Sequence, residues 1–102
     1  MAACYINEYA SIGAGGPGHP YAQAPKEPAL VRQNPVGISG SPTASAAFSS
    51  GTNMIRVNVD STCSILIGPS PVASTNFGRM QAGQTEYFCV QAGHALSVVS
   101  NV

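Results

Sequence analysis

The sequence predicts an all-β protein, a small β-sandwich or barrel over residues 48–102 preceded by an extended Gly/Pro-rich arm over residues 1–47. Three observations carry this. Six of the eight prolines (Pro17, Pro20, Pro25, Pro28, Pro35, Pro42) fall in the first half, where they fix φ, remove amide donors and bias the preceding residue toward extended forms. In the second half apolar residues alternate with polar ones at the period of two that marks a half-buried strand. Glycine turns recur there roughly every ten residues, the spacing of small all-β domains.

Taken in order, residues 2–10 hold Tyr5, Ile6 and Tyr9, enough for a short strand or an anchoring patch. Gly13 to Gly18 is a flexible stretch, and from Pro17 to Pro42 the prolines predict an extended, polyproline-like course. Ala44 to Phe48 is a strand entry. In Asn53–Asp60, Ile55, Val57 and Val59 share one face and Arg56 and Asn58 the other. Asp60-Ser-Thr reads as a turn, and Cys63, Ile65 and Ile67 restore the apolar face on a second strand, so the pair is expected as a hairpin. Phe77 to Met80 is a short edge strand. Thr85 to Val90 follows, its Tyr87–Val90 run suggesting burial on both faces, and Ala95 to Val99 is the last strand. Gln-Ala-Gly occurs at 81–83 and again at 91–93, which predicts two similar turns. No helix longer than a turn is expected.

The folded half is small. A domain of ~60 residues buries only about 60% of its unfolded surface and is marginal without oligomerisation, metals or disulfides. Four basic residues (Lys26, Arg32, Arg56, Arg79) balance four acidic ones (Glu8, Glu27, Asp60, Glu86). No basic cluster is available to neutralise phosphates, so nucleic acid is not an expected partner. A charged fraction of 8% is far below the usual ~25%, which implies that part of the surface is covered in the working state. No run reaches the ~18 apolar residues of a transmembrane helix, so no membrane partner is expected. The start of the chain lacks the basic and apolar regions of a secretory signal. Three cysteines, Cys4, Cys63 and Cys89, with no CxxC pair fit reduced thiols in a cytoplasm better than a disulfide framework. Cys63 and Cys89 are expected to be buried small hydrophobes, with room to be neighbours across adjacent strands.

The motifs that could carry chemistry fail their context tests. Gly13-Ala-Gly-Gly-Pro-Gly18 matches GxGxxG, but the dinucleotide fingerprint needs a helix after it, and Pro17, Pro20, Pro25 and Pro28 forbid one. Cys63, Cys89, His19 and His94 lack the local spacing of a zinc site. A Cys–His pair of Cys89 with His94 would need an activated thiol, and Cys89 sits in the most apolar run of the chain. No catalytic residue, cofactor or metal is expected, and the protein is not read as an enzyme. Phe77, Tyr87 and Phe88 suggest a core rather than a sugar-binding platform. Tyr5, Ile6, Tyr9 and Tyr21 lie where no local core is expected, and are candidate anchors for docking into a neighbouring subunit.

Several segments together resemble a group of small virion proteins of tailed bacteriophages and prophages. They are Tyr5-Ile-Asn-Glu-Tyr9, Pro25-Lys-Glu-Pro28, Ser45-Ala-Ala-Phe48, Ile55-Arg-Val, Asp60-Ser-Thr-Cys-Ser-Ile-Leu-Ile-Gly68, Pro71-Val-Ala-Ser-Thr75, Arg79-Met-Gln-Ala-Gly-Gln-Thr-Glu-Tyr-Phe88 and Val90-Gln-Ala-Gly-His-Ala-Leu-Ser-Val98. The resemblance spans nearly the whole chain, and its motifs are structural. It implies a virion component assembled in the host bacterial cytoplasm, a head decoration or cement protein bound to the major capsid protein or other virion subunits. A tail or head–tail adaptor component is the alternative, and a host-surface or glycan-binding module a further one. Met54, Leu66 and either Tyr87 or Phe88 remain after one small core is filled, and are candidate residues of a homo-oligomer interface. A trimer is the expected form, by common capsid geometry. Loss of residues 1–40 is expected to leave the β module folded and to abolish attachment.

Overall fold

The computed structural model describes residues 2–10, 12–14, 23–25 and 27–102. In chain order the strands are β1 (Ala3–Tyr9), β2 (Ile12–Ala14), β3 (Gln23–Pro25), β4 (Val31–Arg32), β5 (Val36–Gly37) and β6 (Thr43–Ala44). They continue as β7 (Met54–Val59), β8 (Cys63–Gly68), β9 (Arg79–Met80), β10 (Thr85–Cys89) and β11 (Ala95–Ser100). The fold is all-β, with no helix among the described residues.

Two antiparallel sheets form the body. The first has the order β10-β7-β1-β4, with β5 also paired to β1. β7 takes one edge of β1 from Cys4↔Val59 to Tyr9↔Met54, so β4 and β5 share the other edge in succession. The second sheet has the order β6-β11-β8-β9. β2 and β3 pair as a separate two-stranded ribbon.

The pairing registers sort the side chains by face. Cys4, Ile6 and Glu8 of β1 lie level with Val59, Val57 and Ile55 of β7; Phe88 of β10 joins them opposite Ile55. In the second sheet Ile65 lies level with Val98, Ile67 with Leu96 and Cys63 with Met80. The apolar ones among these residues, with Val36, Ile38 and Phe48, form one core cluster between the sheets, against which the half-buried Ile67 and Phe88 pack; this is the arrangement of a β-sandwich.

The N-terminal segment therefore differs from the expected arm. Ala3–Tyr9 is an inner strand of the first sheet, and β4, β5 and β6 all fall within residues 31–44, which were expected to be free of the core. The small module completes its core with its own N-terminal residues. The stretch from Gly13 to Tyr21, with His19, lies largely outside the described residues.

The expected hairpin of β7 with β8 is also corrected: the two strands belong to different sheets. Both edges of β7 are occupied, by β1 and β10, and Asp60–Thr62 carries the chain around the corner. Asp60 is tied to β1 there: Ala3 N donates to Asp60 Oδ1 at 2.6 Å, and Asp60 N to Ala3 O at 3.2 Å. A period of two identifies a strand and its buried face, but not the neighbour it pairs with.

Two-sided burial falls on β11 rather than on Tyr87–Val90. Every residue from Ala95 to Val99 is buried, because the loop after β8 folds over the second sheet's outer face. Ala73 N donates to Ser97 Oγ at 2.9 Å, and Asn101 Nδ2 joins Ser64 Oγ at 2.8 Å to Thr75 O at 3.3 Å. β10 is instead an edge strand, with Tyr87 and Cys89 exposed.

The two Gln-Ala-Gly turns match. Gln84 N bonds to Gln81 O and His94 N to Gln91 O, at 3.0 and 3.1 Å. Gly83 and Gly93 carry φ of 84° and 87°, the positive value that a type II turn needs at its third residue and that favours glycine there.

Candidate functional site

The outer face of the first sheet is the part of the surface with the composition of a protein-binding patch. Register places three rows on this side of the sheet: Tyr5, Asn58 and Thr85; Asn7, Arg56 and Tyr87; and Tyr9, Met54 and Cys89, of which Tyr9 and Met54 are covered. Tyr5 is 45% exposed and Tyr87 50%, and they flank β7, where Arg56 is half-buried. Asn58 Nδ2 donates to Thr85 Oγ1 at 2.8 Å, which fixes the polar row between the strands. Tyr and Arg presented on a rigid sheet are the residue types that dominate binding energy at protein interfaces.

The structure brings together only some of the residues expected at a binding surface. Tyr5 and Tyr87 share this face. Ile6 and Tyr9 are each 1% exposed, so they are not anchors for a neighbour: Ile6 fills the core, and the Tyr9 hydroxyl donates to Glu27 Oε2 at 2.9 Å. Burial and that bond hold the Tyr9 phenol above its ordinary pKa. Met54, expected at an oligomer interface, is buried opposite Tyr9. Leu66 and Phe88 are half-buried. Tyr21 lies outside the described residues.

A groove of about 390 Å³ opens on the side of the sandwich where β10 of one sheet faces β8 and β9 of the other. Ile65, Ile67, Phe77, Met80 and Phe88 give it an apolar lining, with Arg79 and Glu86 also at its walls. Sequence reasoning missed it because Phe77 reads as a core residue, whereas it is 44% exposed.

Glu8 is the other residue that sequence reasoning passed over. It is 1% exposed. Its Oε1 accepts from Ser49 N at 2.8 Å and Thr52 Oγ1 at 2.7 Å, and its Oε2 accepts from Gln33 Nε2 at 2.8 Å. These three donors satisfy the buried carboxylate, and they make Glu8 a tie between β1 and two loops.

No group of three or more His, Cys, Asp and Glu could hold a metal ion among the described residues. Comparison with family models, curated proteins and solved structures found no match.

The thiols divide differently from expectation. Cys4 and Cys63 are buried and free, whereas Cys89 is exposed on the edge strand. Cys89 pairs with Met54 in the first sheet and Cys63 lies in the second, so these two are not cross-strand neighbours. Burial, with Cys63 and Asp60 nearby, pushes the Cys4 thiol from 9.0 up to about 12. Burial, with Asp60, raises Cys63 as well. A chromogenic thiol reagent is therefore expected to titrate one thiol quickly in the native protein, Cys89, and all three after denaturation. Because the folded value of Cys4 lies above its unfolded one, its stabilising effect is complete below pH 9 and is lost as pH rises toward 12. Urea midpoints should therefore not vary with pH through Cys4 in neutral buffer and should fall above pH 9; in Cys4→Ala, which also loses a buried core side chain at every pH, the fall above pH 9 should be smaller.

Proposed function

We propose that this protein is a structural component of a tailed-phage virion, a decoration or cement protein that binds the assembled head and stabilises it. The resemblance to small virion proteins supplies the setting. The observation that carries the reading is the outer face of the first sheet, where Tyr5 and Tyr87 stand exposed around Arg56 on a chain with 8% charged residues. A rigid face of that composition suits attachment to major capsid protein subunits. Binding depends on aromatic burial and a single guanidinium rather than on a charge field. The protein acts on the shell as a homo-oligomer.

Quantifying the protein in purified virions by mass spectrometry tests this. Copy numbers close to that of the major capsid protein are expected. Copies in the low tens or fewer would place it in the tail or head–tail connector, and absence from the particle would overturn the virion reading. Tyr5→Ala should leave the unfolding midpoint nearly unchanged, since the side chain is 45% exposed, and should lower the amount retained on particles several-fold. Unchanged retention would remove this face from the attachment surface.

A further inference from the structure

The sandwich ends in four sheet edges, and three of them are blunted. β4 and β5 are two residues each, separated by a segment containing Pro35; β6 and β9 are also two residues each. Very short strands and prolines are the usual devices that keep sheet edges from pairing with other chains. β10 has neither. It is five residues long and contains no Lys, Pro or Gly.

The backbone of β10 presents alternate residues to alternate sides. Val59 N donates to Gln84 O at 3.2 Å and Val90 N to Asn53 O at 2.9 Å. Residues 84, 86, 88 and 90 therefore turn their backbone groups toward β7. Thr85, Tyr87 and Cys89 turn theirs outward, to the open edge, in a row centred on Tyr87.

We propose that β10 pairs with β10 of a second copy of this chain, antiparallel about a twofold axis at Tyr87, joining the two first sheets into one continuous sheet. That register places Tyr87 opposite its own copy and Thr85 opposite Cys89 of the second copy. Each opposed pair of this kind exchanges both backbone bonds, so every outward amide and carbonyl of the strand is satisfied by the same strand. No other sequence is required, and a twofold contact closes on itself. The single charge on the strand does not oppose it. Gln84 Nε2 holds Glu86 Oε1 at 2.7 Å, and the register sets Glu86 across from Phe88 of the second copy, not from its own counterpart. The same register extends the first sheet beyond β10, on the side where the apolar groove beside Phe88 opens. It also makes the two Tyr5–Arg56–Tyr87 faces continuous. A threefold ring would need a different second edge for β10 to meet, and the remaining edges are two-residue strands. The pairing does not depend on the virion reading.

Sedimentation equilibrium of the purified full chain tests it, together with two variants. The unmodified protein is expected as a concentration-dependent dimer at tens of micromolar. Tyr87→Pro removes an amide that has no partner among the described residues, and an edge strand tolerates proline where the N–H faces outward. It should sediment as a monomer with an unchanged far-ultraviolet spectrum. Tyr87→Cys, in a Cys89→Ser background, should form a covalent dimer under mild oxidation. Directly opposed, hydrogen-bonded residues have Cα atoms about 5.5 Å apart, inside the range a disulfide accepts. Native Cys89 should not cross-link, because four residues at ~3.4 Å each put the two copies about 14 Å apart. A monomeric native protein whose Tyr87→Cys form fails to cross-link would overturn the proposal. So would a stable trimer, or a dimer that survives Tyr87→Pro. Pairing seen only after capsid protein is added would show instead that the edge takes another protein's strand.

Discussion

A chain beginning at residue 41 is expected not to fold. The truncation removes β1 to β5, and β1 lies inside the first sheet with β7 paired along it from Cys4↔Val59 to Tyr9↔Met54. Cys4, Ile6 and Tyr9 are each no more than 1% exposed, and Val36 and Ile38 are buried as well. Full burial of one large apolar side chain stabilises by about 1.5–3 kcal/mol, so losing several costs on the order of the whole stability of a domain this size, about 5–15 kcal/mol. The loss also opens one edge of β7 and exposes the inner faces of Ile55, Val57 and Val59. The expected result is a chain with a coil-like circular dichroism spectrum and no cooperative unfolding transition. A cooperative transition in residues 41–102 would show that the N-terminal strand is dispensable after all.

The expectation from sequence was the reverse, and particular residues show why. β1 reads Ala3-Cys-Tyr-Ile-Asn-Glu-Tyr9. Its inward positions are Cys4, Ile6 and Glu8, and a carboxylate at a core position breaks the apolar alternation that identifies a strand. Tyr9, on the opposite face, is buried as deeply as Ile6, so the pattern shows no clean exposed side either. The strand was visible only as a cluster of Tyr and Ile ahead of a Gly/Pro-rich stretch, and that context favoured an arm.

Local rules succeeded where one residue type decides the backbone. The paired Gln-Ala-Gly turns, the short edge strand near Met80 and the strands from residue 54 onward were all legible. Pairing partners were not. Asp60-Ser-Thr62 has the composition of a hairpin turn, yet whether it joins two strands of one sheet or crosses between sheets depends on what occupies the edges of β7. The same limit explains the exchange of Tyr87–Val90 for Ala95–Val99 as the strand buried on both faces. An apolar run signals burial, but β10 ends as an edge and β11 lies beneath the loop that carries Ala73. The candidate site was therefore only partly readable. Tyr5 could be named as a surface anchor and Tyr87 only as one of two candidates with Phe88, while Arg56 between them and the outward amides of β10 follow from register alone.

Glu8 gives the second large expected effect. Glu8→Ala and Glu8→Leu should each destabilise the protein by about 3 kcal/mol, because both leave three donors without their acceptor. Each buried unsatisfied group costs roughly 1–3 kcal/mol. Thr52 is 1% exposed and bears the full penalty, whereas Ser49 and Gln33 are half-buried and recover part of it from water. Leucine restores the volume but not the acceptors, so it separates the polar contribution from the packing one. Glu8→Gln keeps one oxygen for Ser49 N and Thr52 Oγ1, and Gln33 can turn its own amide to meet the new one. It gives up the charge-assisted strength of those bonds and the contact of Gln33 Nε2 with Ala46 O at 3.2 Å, for a smaller loss of about 1–2 kcal/mol. The consequences reach the open edge. Thr52 precedes Asn53, whose N–H bonds to Tyr9 O and whose carbonyl accepts from Val90 N, so Glu8 anchors the point from which both β7 and the end of β10 are set. Urea unfolding of the three variants decides the matter. Alanine and leucine together at the bottom with glutamine between them and the native protein identifies the carboxylate as an acceptor holding three chain segments. A leucine variant as stable as the native protein would show that Glu8 is tolerated in the core rather than required by it.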